Sequence, residues 1–318
     1  MIKKAVIPAA GYGTRFLPAT KAQPKEMLPV IDTPVIQYVV EEAIQSGLDD
    51  ILIITGRGKR AIIDHFDRSM EMEYFLRDRG KEDVVKQLRD ISELADIYTI
   101  RQKEPNGLGD AIMYARRHIG DDAFAILLGD TIMESFTERN CAGQLIDIFQ
   151  RVRRPVIAVE EVPLDRVDRY GIILGKEVSP NTYLIERLVE KPKPSEAPSN
   201  LAISGRYILT PEIFDYLAKT PKGLGGEVQL TDALNLMCRK EQIFAFKFDG
   251  RRHDIGNRLD YLKSTVMFAL RREDLKEQFR SFLHDILTFD DPRQYGRMAP
   301  GKPATSAKIG KGAKHRRS

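Results

Sequence analysis

Tryptophan is absent from this 318-residue chain, and cysteine occurs only at Cys141 and Cys238. Without tryptophan, and with few tyrosines, there is little sign of the stacking platform that single-stranded nucleic acid needs. The two cysteines lack metal-ligand spacing and read as free, non-catalytic thiols of a cytosolic protein. No apolar run reaches membrane-spanning length, and Met1-Ile2-Lys3-Lys4 leads into a strand rather than a secretory leader. The expected setting is cytoplasmic, with no membrane partner. Two common phosphate loops are missing as well. No Gly-Lys-Ser/Thr opens a helix, and Phe16 stands where a dinucleotide fingerprint needs a third small residue.

What is present is a soluble composition, 42% apolar and 30% charged, long enough for one large α/β domain or two small ones. The formal charge of +4 is unevenly spread. Residues 293–318 hold eight Lys or Arg and no acid, so removing those eight from +4 leaves −4 for residues 1–292. The tail is rich in Gly, Ala, Ser and Pro and cannot bury a core. It reads as a solvated extension, with nonspecific nucleic-acid contact as the alternative.

Strand and helix signals alternate through the first half. Ala5–Ala10 reads as a buried strand, and Pro34 opens an amphipathic helix over 35–44 that Gly47 stops. Residues 51–55, 97–100 and 123–128 read as strands. Lys59–His65, Met70–Ala95 and Gly109–His118 read as helices. Uninterrupted apolar strands between helices imply a sheet covered on both faces. The expected fold is α/β: doubly wound, mostly parallel and Rossmann-like. A β-rich insertion follows over 156–160, 171–174, 182–190 and 201–209. Helices return at 211–218 and 230–239, then a strand at 243–248 and a long helical pattern over 258–287. The chain reads as one catalytic domain, 1–292, plus the tail 293–318.

The first strand opens into Gly-Tyr-Gly-Thr-Arg-Phe-Leu-Pro-Ala-Thr-Lys-Ala-Gln-Pro-Lys-Glu-Met-Leu-Pro, residues 11–29. Gly11 and Gly13 let backbone N–H groups approach an anion, while Arg15, Lys21 and Lys25 neutralise it. Pro18, Pro24 and Pro29 keep the segment a shaped loop. Ligands of open α/β sheets bind beyond the carboxyl ends of strands, and three further motifs lie at such ends. Gln102 to Ala111 is a strand-to-helix turn, either an ordinary turn or one whose Gln102 amide pairs with a pyrimidine edge. Asp130 ends a buried strand, as a helix cap or as one of two carboxylates on magnesium. His253-Asp254 follows the strand 243–248 and offers the second carboxylate. That pair also resembles a phosphohydrolase metal pair, but the further helical ligands of that class are missing. Glu190-Lys191 is either a solvated edge or a device holding sugar hydroxyls and a sugar phosphate.

The residue 11–29 string resembles the signature of the sugar-1-phosphate nucleotidylyltransferases, and its Lys-x-x-Pro-Lys-Glu-Met-Leu-Pro half resembles the bacterial and archaeal UTP–glucose-1-phosphate uridylyltransferase type. The resemblance spans residues 1 to about 285. It implies that UTP and glucose 1-phosphate are joined into UDP-glucose and pyrophosphate with Mg2+. It further implies nucleotide contacts at Ala10, Gly11, Gly13, Thr14, Arg15, Lys25, Gln102 and Gly107. Sugar-phosphate contacts are implied at Gly171, Glu190, Lys191 and Gly205, which makes the β-rich insertion sugar-binding. Metal ligation falls to Asp130 and Asp254, and catalysis to Arg15, Lys25 and Asp130. A homo-oligomer, dimer or tetramer, is expected. Gly225 to Asp232 also matches a family motif, with Glu227 and Asp232 read as site-shaping or oligomer-facing. This chain carries Asp110 for the usual His, Gly129 for Pro, Arg258 for Lys and Asp260 for Gly, and none of these removes a ligand. The rival readings are a thymidylyltransferase, an enzyme for another hexose 1-phosphate, and a non-catalytic sugar-nucleotide sensor.

Overall fold

A computed structural model describes residues 2–288. The chain divides into two units, Met1–Ser264 and Thr265–Ser318. The boundary expected at residue 292 and the basic tail lie outside the described residues.

In the first unit β1 (Lys4–Ala9) leads into the signature segment. That segment is a loop carrying three single 3₁₀ turns, Thr14–Phe16, Ala19–Lys21 and Lys25–Met27, which Pro18 and Pro24 keep from merging. A small antiparallel pair follows, β2 (Pro29–Val30) with β3 (Thr33–Pro34). Next come α1 (Val35–Gln45), β4 (Asp50–Thr55) and α2 (Arg60–Phe66). The helix expected over 70–95 is two helices, α3 (Met70–Arg77) and α4 (Glu82–Ser92), parted where Gly80 turns left-handed at φ +67°. After β5 (Asp96–Arg101) the helix expected over 109–118 also divides, into α5 (Leu108–Met113) and α6 (Arg116–Ile119). Then β6 (Phe124–Leu127) precedes two elements not read from the sequence, β7 (Thr131–Ser135) and α7 (Cys141–Val152). Strands β8 (Val156–Glu161), β9 (Gly171–Ser179), β10 (Thr182–Glu190) and β11 (Leu201–Leu209) run on to α8 (Ile213–Lys219) and α9 (Leu230–Met237). The chain continues through β12 (Phe244–Lys247), β13 (Gly250–Asp254) and α10 (Arg258–Ala269). The pattern over 258–287 is not one helix: α11 (Lys276–Leu287) is separate and belongs to the second unit.

Nine strands form one sheet in the order β5-β4-β1-β6-β11-β8-β12-β10-β9. Its pairings leave only β10 and β11 running against the other seven strands, so the sheet is mostly parallel in direction. The β-rich insertion is therefore an extension of the main sheet, not a second layer. β1 shows why both faces are covered. Ala5, Ile7 and Ala9 pack with Ile36, Val39 and Val40 of α1 and Leu145 of α7. Val6, on the opposite face, packs with Ile112 of α5, Phe214 of α8 and Leu234 of α9.

One buried ion pair ties these layers to the loop after β6. Arg206 donates to Glu42 Oε2 at 2.7 Å, and through the same guanidinium to the carbonyl oxygen of Thr131 at 2.8 Å. Arg206 of β11 thereby pins the chain next to Asp130 onto α1. Both partners are buried, so each charge depends on the other.

Candidate active site

A cleft of about 650 Å³ opens at the carboxyl ends of the central strands, and its lining includes all fourteen residues for which the resemblance implied catalytic, nucleotide, sugar-phosphate or metal roles, but not Lys21. The signature loop forms one wall. Gly13 takes a left-handed φ of +66°, and its carbonyl oxygen accepts from Thr20 Oγ1 at 2.7 Å, which folds the loop back on itself. Lys25 consequently runs beneath the glycines. A Cβ on Gly13 would meet Lys25 Cβ at 3.1 Å, and one on Gly11 would stand 3.9 Å from Lys25 Nζ. Arg258, at the start of α10, donates to the backbone oxygens of Arg15 at 3.0 Å and Leu17 at 3.1 Å and so clamps the far side of the loop.

Lys25 Nζ lies 2.5 Å from Asp130 Oδ2, with the two side chains 22% and 28% exposed. Burial alone would lower the lysine's pKa, but the charges of Asp130 and Glu26 outweigh it and hold the ammonium above its ordinary value. Burial would likewise raise Asp130, and the Lys25 charge and hydrogen bond outweigh it, keeping the carboxylate below its usual range. Behind them Glu26 Oε2 accepts from Lys59 Nζ at 2.6 Å in an almost fully buried pair. There burial prevails: Glu26 is shifted up and Lys59 down, although each offsets part of the other's shift.

Asp254 was expected just after the strand over 243–248. It instead ends β13, which pairs antiparallel with β7 as a separate two-stranded ribbon. That ribbon brings the two aspartates together, because Asp254 pairs in register with Thr131 and Ile255 N–H donates to Asp130 O at 3.2 Å. Gly256 sits between them. A Cβ there would stand 2.9 Å from Asp254 Oδ1, 3.6 Å from Asp130 Oδ2 and 3.6 Å from Arg15 Nη1. The two carboxylate oxygens are therefore at most 6.5 Å apart, the sum of the first two distances. His253 faces elsewhere, with Nδ1 at 3.0 Å from Ser264 Oγ and Nε2 at 3.1 Å from Glu134 Oε2. No cluster of three or more His, Cys, Asp or Glu suited to a metal occurs among the described residues. Two hard carboxylates without imidazole or thiolate suit magnesium, which takes one or two protein oxygens and completes its shell with phosphate and water. The donor set fits that ion.

At the turn between β5 and α5, Gln102 Nε2 donates to Asp110 Oδ2 at 2.6 Å and to Gly107 O at 3.3 Å. Gly107, at φ +104°, allows close packing, since a Cβ there would lie 2.7 Å from Glu227 Cβ. Backbone bonds join this loop to the segment before α9, Val228 N–H to Asn106 O and Gly109 N–H to Val228 O, each 2.8 Å. Glu227 is thus a wall of the cleft, whereas Asp232 lies against Gly223.

The same cleft is lined by Gly171, Glu190, Lys191 and Gly205, the last beside the turn after β6, where Leu128 N–H donates to Gly205 O at 3.0 Å. Glu190 Oε2 accepts from Thr231 Oγ1 at 2.6 Å, and Glu190 Oε1 pairs with Lys191 Nζ at 3.0 Å. Lys191 has a left-handed φ of +45°, held by its N–H donating to Tyr170 O at 2.9 Å, a strained backbone of the kind found at ligand sites. Sequence reasoning missed Tyr170, Thr231 and Arg252 here. Arg252 stacks 4.1 Å over the Tyr170 ring and pairs with Glu160. Its place beside His253-Asp254 was the available signal.

A sequence profile described as nucleotidyl transferase matches residues 4–269. The chain is 51% identical over 285 residues to UTP–glucose-1-phosphate uridylyltransferase 2 of Staphylococcus saprophyticus, covering 90% of this chain and 98% of that one. It is 49% identical, with the same coverage, to UTP–glucose-1-phosphate uridylyltransferase of Staphylococcus epidermidis. Among solved structures it is similar to a UDP-glucose pyrophosphorylase complexed with UDP-glucose, with TM-score 0.80, 42% identity, and coverage of 86% of this chain and 100% of that one. It is also similar to a UTP-bound UGPase from Acinetobacter baumannii, with TM-score 0.84, 38% identity, and coverage of 90% and 100%.

Proposed function

The chain belongs to the nucleotidyl transferase family, and we infer that it is a uridylyltransferase joining UTP to glucose 1-phosphate, with UDP-glucose and pyrophosphate as products. One observation carries the reading. A single cleft gathers Arg15, Lys25, Asp130 and Asp254 together with Glu190 and Lys191.

An oxygen of the sugar phosphate attacks the α-phosphorus of UTP in line. The bond from the α-phosphorus to the α–β bridging oxygen breaks, and pyrophosphate leaves with its electron pair. The attacking oxygen is already anionic, so no general base is required, and catalysis is positioning plus charge neutralisation. Arg15 holds the β- and γ-phosphates against the loop glycines. Lys25 follows the α-phosphate as charge builds. Asp130 and Asp254 would hold Mg2+, which when bound supplies Lewis-acid neutralisation of the triphosphate. Glu190 accepts from hexose hydroxyls, with Thr231 fixing its carboxylate, and Lys191 admits a second anion to a cleft that already holds one. Ala10, Gly11, Gly13 and Thr14 offer backbone to the triphosphate. Gln102 and Gly107 take the base, and Gly171 and Gly205 allow close approach of the sugar.

Among the described residues no helix is long and apolar enough to cross a membrane. The two free cysteines support a reducing, cytoplasmic setting. A homo-oligomer and a tail beyond residue 292 that is accessory to catalysis belong to the same reading. Purified protein should be assayed with Mg2+ across UTP, dTTP, CTP and ATP and several hexose 1-phosphates. UTP with glucose 1-phosphate should give the highest kcat/KM. A higher value for dTTP would make the chain a thymidylyltransferase.

A further inference from the structure

Gln102 sits just beyond β5 and is almost completely buried. Its side-chain nitrogen faces two oxygens, Asp110 Oδ2 at 2.6 Å and Gly107 O at 3.3 Å. An ionised carboxylate and a peptide carbonyl accept hydrogen bonds and cannot donate them. Chemistry therefore decides which end of the amide faces them: the nitrogen must, and Oε1 is turned the other way. Asp110 is itself held. It lies in the first turn of α5, where Ala111 N–H bonds Gly107 O at 3.1 Å and Gly109 N–H bonds Val228 O at 2.8 Å. Gly109 leaves no slack, since a Cβ there would stand 2.8 Å from Val228 O and 2.9 Å from Leu217 Cδ2.

We propose that Asp110 selects the pyrimidine: by holding the Gln102 amide nitrogen it leaves only the Oε1 acceptor for the base, which matches the N3–H of uracil and opposes the N3 acceptor of cytosine. An amide free to turn would offer a donor to cytosine as readily as an acceptor to uracil. Asp110 acts through Gln102 and does not touch the base, so it is a positioning residue. Negative selection of this kind works by leaving the wrong base facing an unpaired polar group in a buried site. The inference rests on the proposed contact between Gln102 and the base.

The test measures kcat/KM for UTP and for CTP, each with glucose 1-phosphate and Mg2+, in wild type, Asp110→Ala, Asp110→Asn and Gln102→Ala. The UTP-to-CTP ratio should fall at least tenfold in Asp110→Ala. It should stay within threefold of wild type in Asp110→Asn, whose amide oxygen can still accept from Gln102. A purely structural role for Asp110 would lower both rates together and leave the ratio alone. Should Asp110→Ala not fold by thermal melting, Asp110→Ser is read in its place. It keeps a residue suited to a helix start but is too short to reach the amide, and the same fall is expected. A ratio unchanged within twofold in the folded Ala or Ser variant overturns the proposal. Gln102→Ala separates the two readings. If it leaves UTP use intact, Gln102 does not contact the base and the inference falls with that contact. If it impairs UTP use while the Asp110 variants keep the ratio, only the selector role of Asp110 is lost.

Discussion

Lys25 Nζ and Asp130 Oδ2 meet at 2.5 Å at the floor of the cleft, joining the signature loop to the turn after β6 across 105 residues of sequence. Each partner favours the charged form of the other. The cation proposed for the α-phosphate thus rests on a carboxylate proposed for the metal. Occupation of the site by magnesium and triphosphate would release it towards the phosphate.

Lys25→Ala should accordingly lower kcat, on the order of a hundredfold, more than it raises KM for UTP, because its charge matters most as the α-phosphorus reacts. Steady-state kinetics at saturating Mg2+ and glucose 1-phosphate measure both. An effect confined to KM would make Lys25 a binding residue and refute its catalytic assignment.

For the carboxylate pair, Asp130→Asn and Asp254→Asn should each raise the Mg2+ concentration giving half-maximal rate and lower the maximum, with the circular dichroism spectrum unchanged. Two ligands of one hard ion are each expected to act this way. A magnesium dependence that neither substitution moves would show that the aspartates do not share the ion.

The strands that carry this site were legible because β1, β4, β6 and β8 are apolar runs buried on both faces, a signal independent of partners. The ribbon of β7 and β13 was not. Thr-Ile-Met-Glu-Ser and Gly-Arg-Arg-His-Asp show no strong alternation, and they become strands only by pairing across more than a hundred residues. Hence Asp254 lines the cleft, but from the end of β13 rather than from the strand expected over 243–248. α7 had a readable start, since Asn140 accepts from Gly143 N–H at 2.8 Å, but its segment went unread. The break at Gly80 had a local signal in that glycine, whereas the one between α10 and α11 falls in Leu-Arg-Arg-Glu-Asp-Leu, residues 270–275, which holds neither glycine nor proline. The Glu42–Arg206 pair, 164 residues apart, leaves no local trace in the sequence.

At the proposed sugar-phosphate contacts, Glu190→Gln and Lys191→Ala should raise KM for glucose 1-phosphate at least tenfold while KM for UTP changes little. The reason is that Thr231, Glu190 and Lys191 form one linked unit that makes no contact of its own with Arg15 or Lys25 among the hydrogen bonds and ion pairs described. Initial rates with one substrate saturating separate the two constants. Equal rises in both would place this unit at a shared part of the cleft instead.

Away from the cleft, Glu73 accepts from Arg68, Arg89 and Arg77 at 2.7, 2.9 and 3.3 Å. The Arg68 hydrogen bond, opposed by desolvation and aided by Arg89, brings its pKa down to about 2 from 4.5. A depressed native pKa adds stability that is present above the unfolded value and is lost as pH falls through the folded one. The Tm difference between wild type and Glu73→Gln should therefore be largest above about pH 5 and shrink towards pH 2. A difference that stays constant over that range would mean the arginine contacts contribute no charge-dependent stability.

The central claim is direct in-line transfer of the uridylyl group to glucose 1-phosphate, and the stereochemical course at the α-phosphorus tests it most directly. The protein would be supplied with one diastereomer of UTP carrying sulfur on the α-phosphorus, together with glucose 1-phosphate and Mg2+, and the product configuration read by phosphorus NMR. A single displacement between these residues predicts the thio analogue of UDP-glucose with inverted configuration. Retention of configuration, or the absence of that product, would contradict the account.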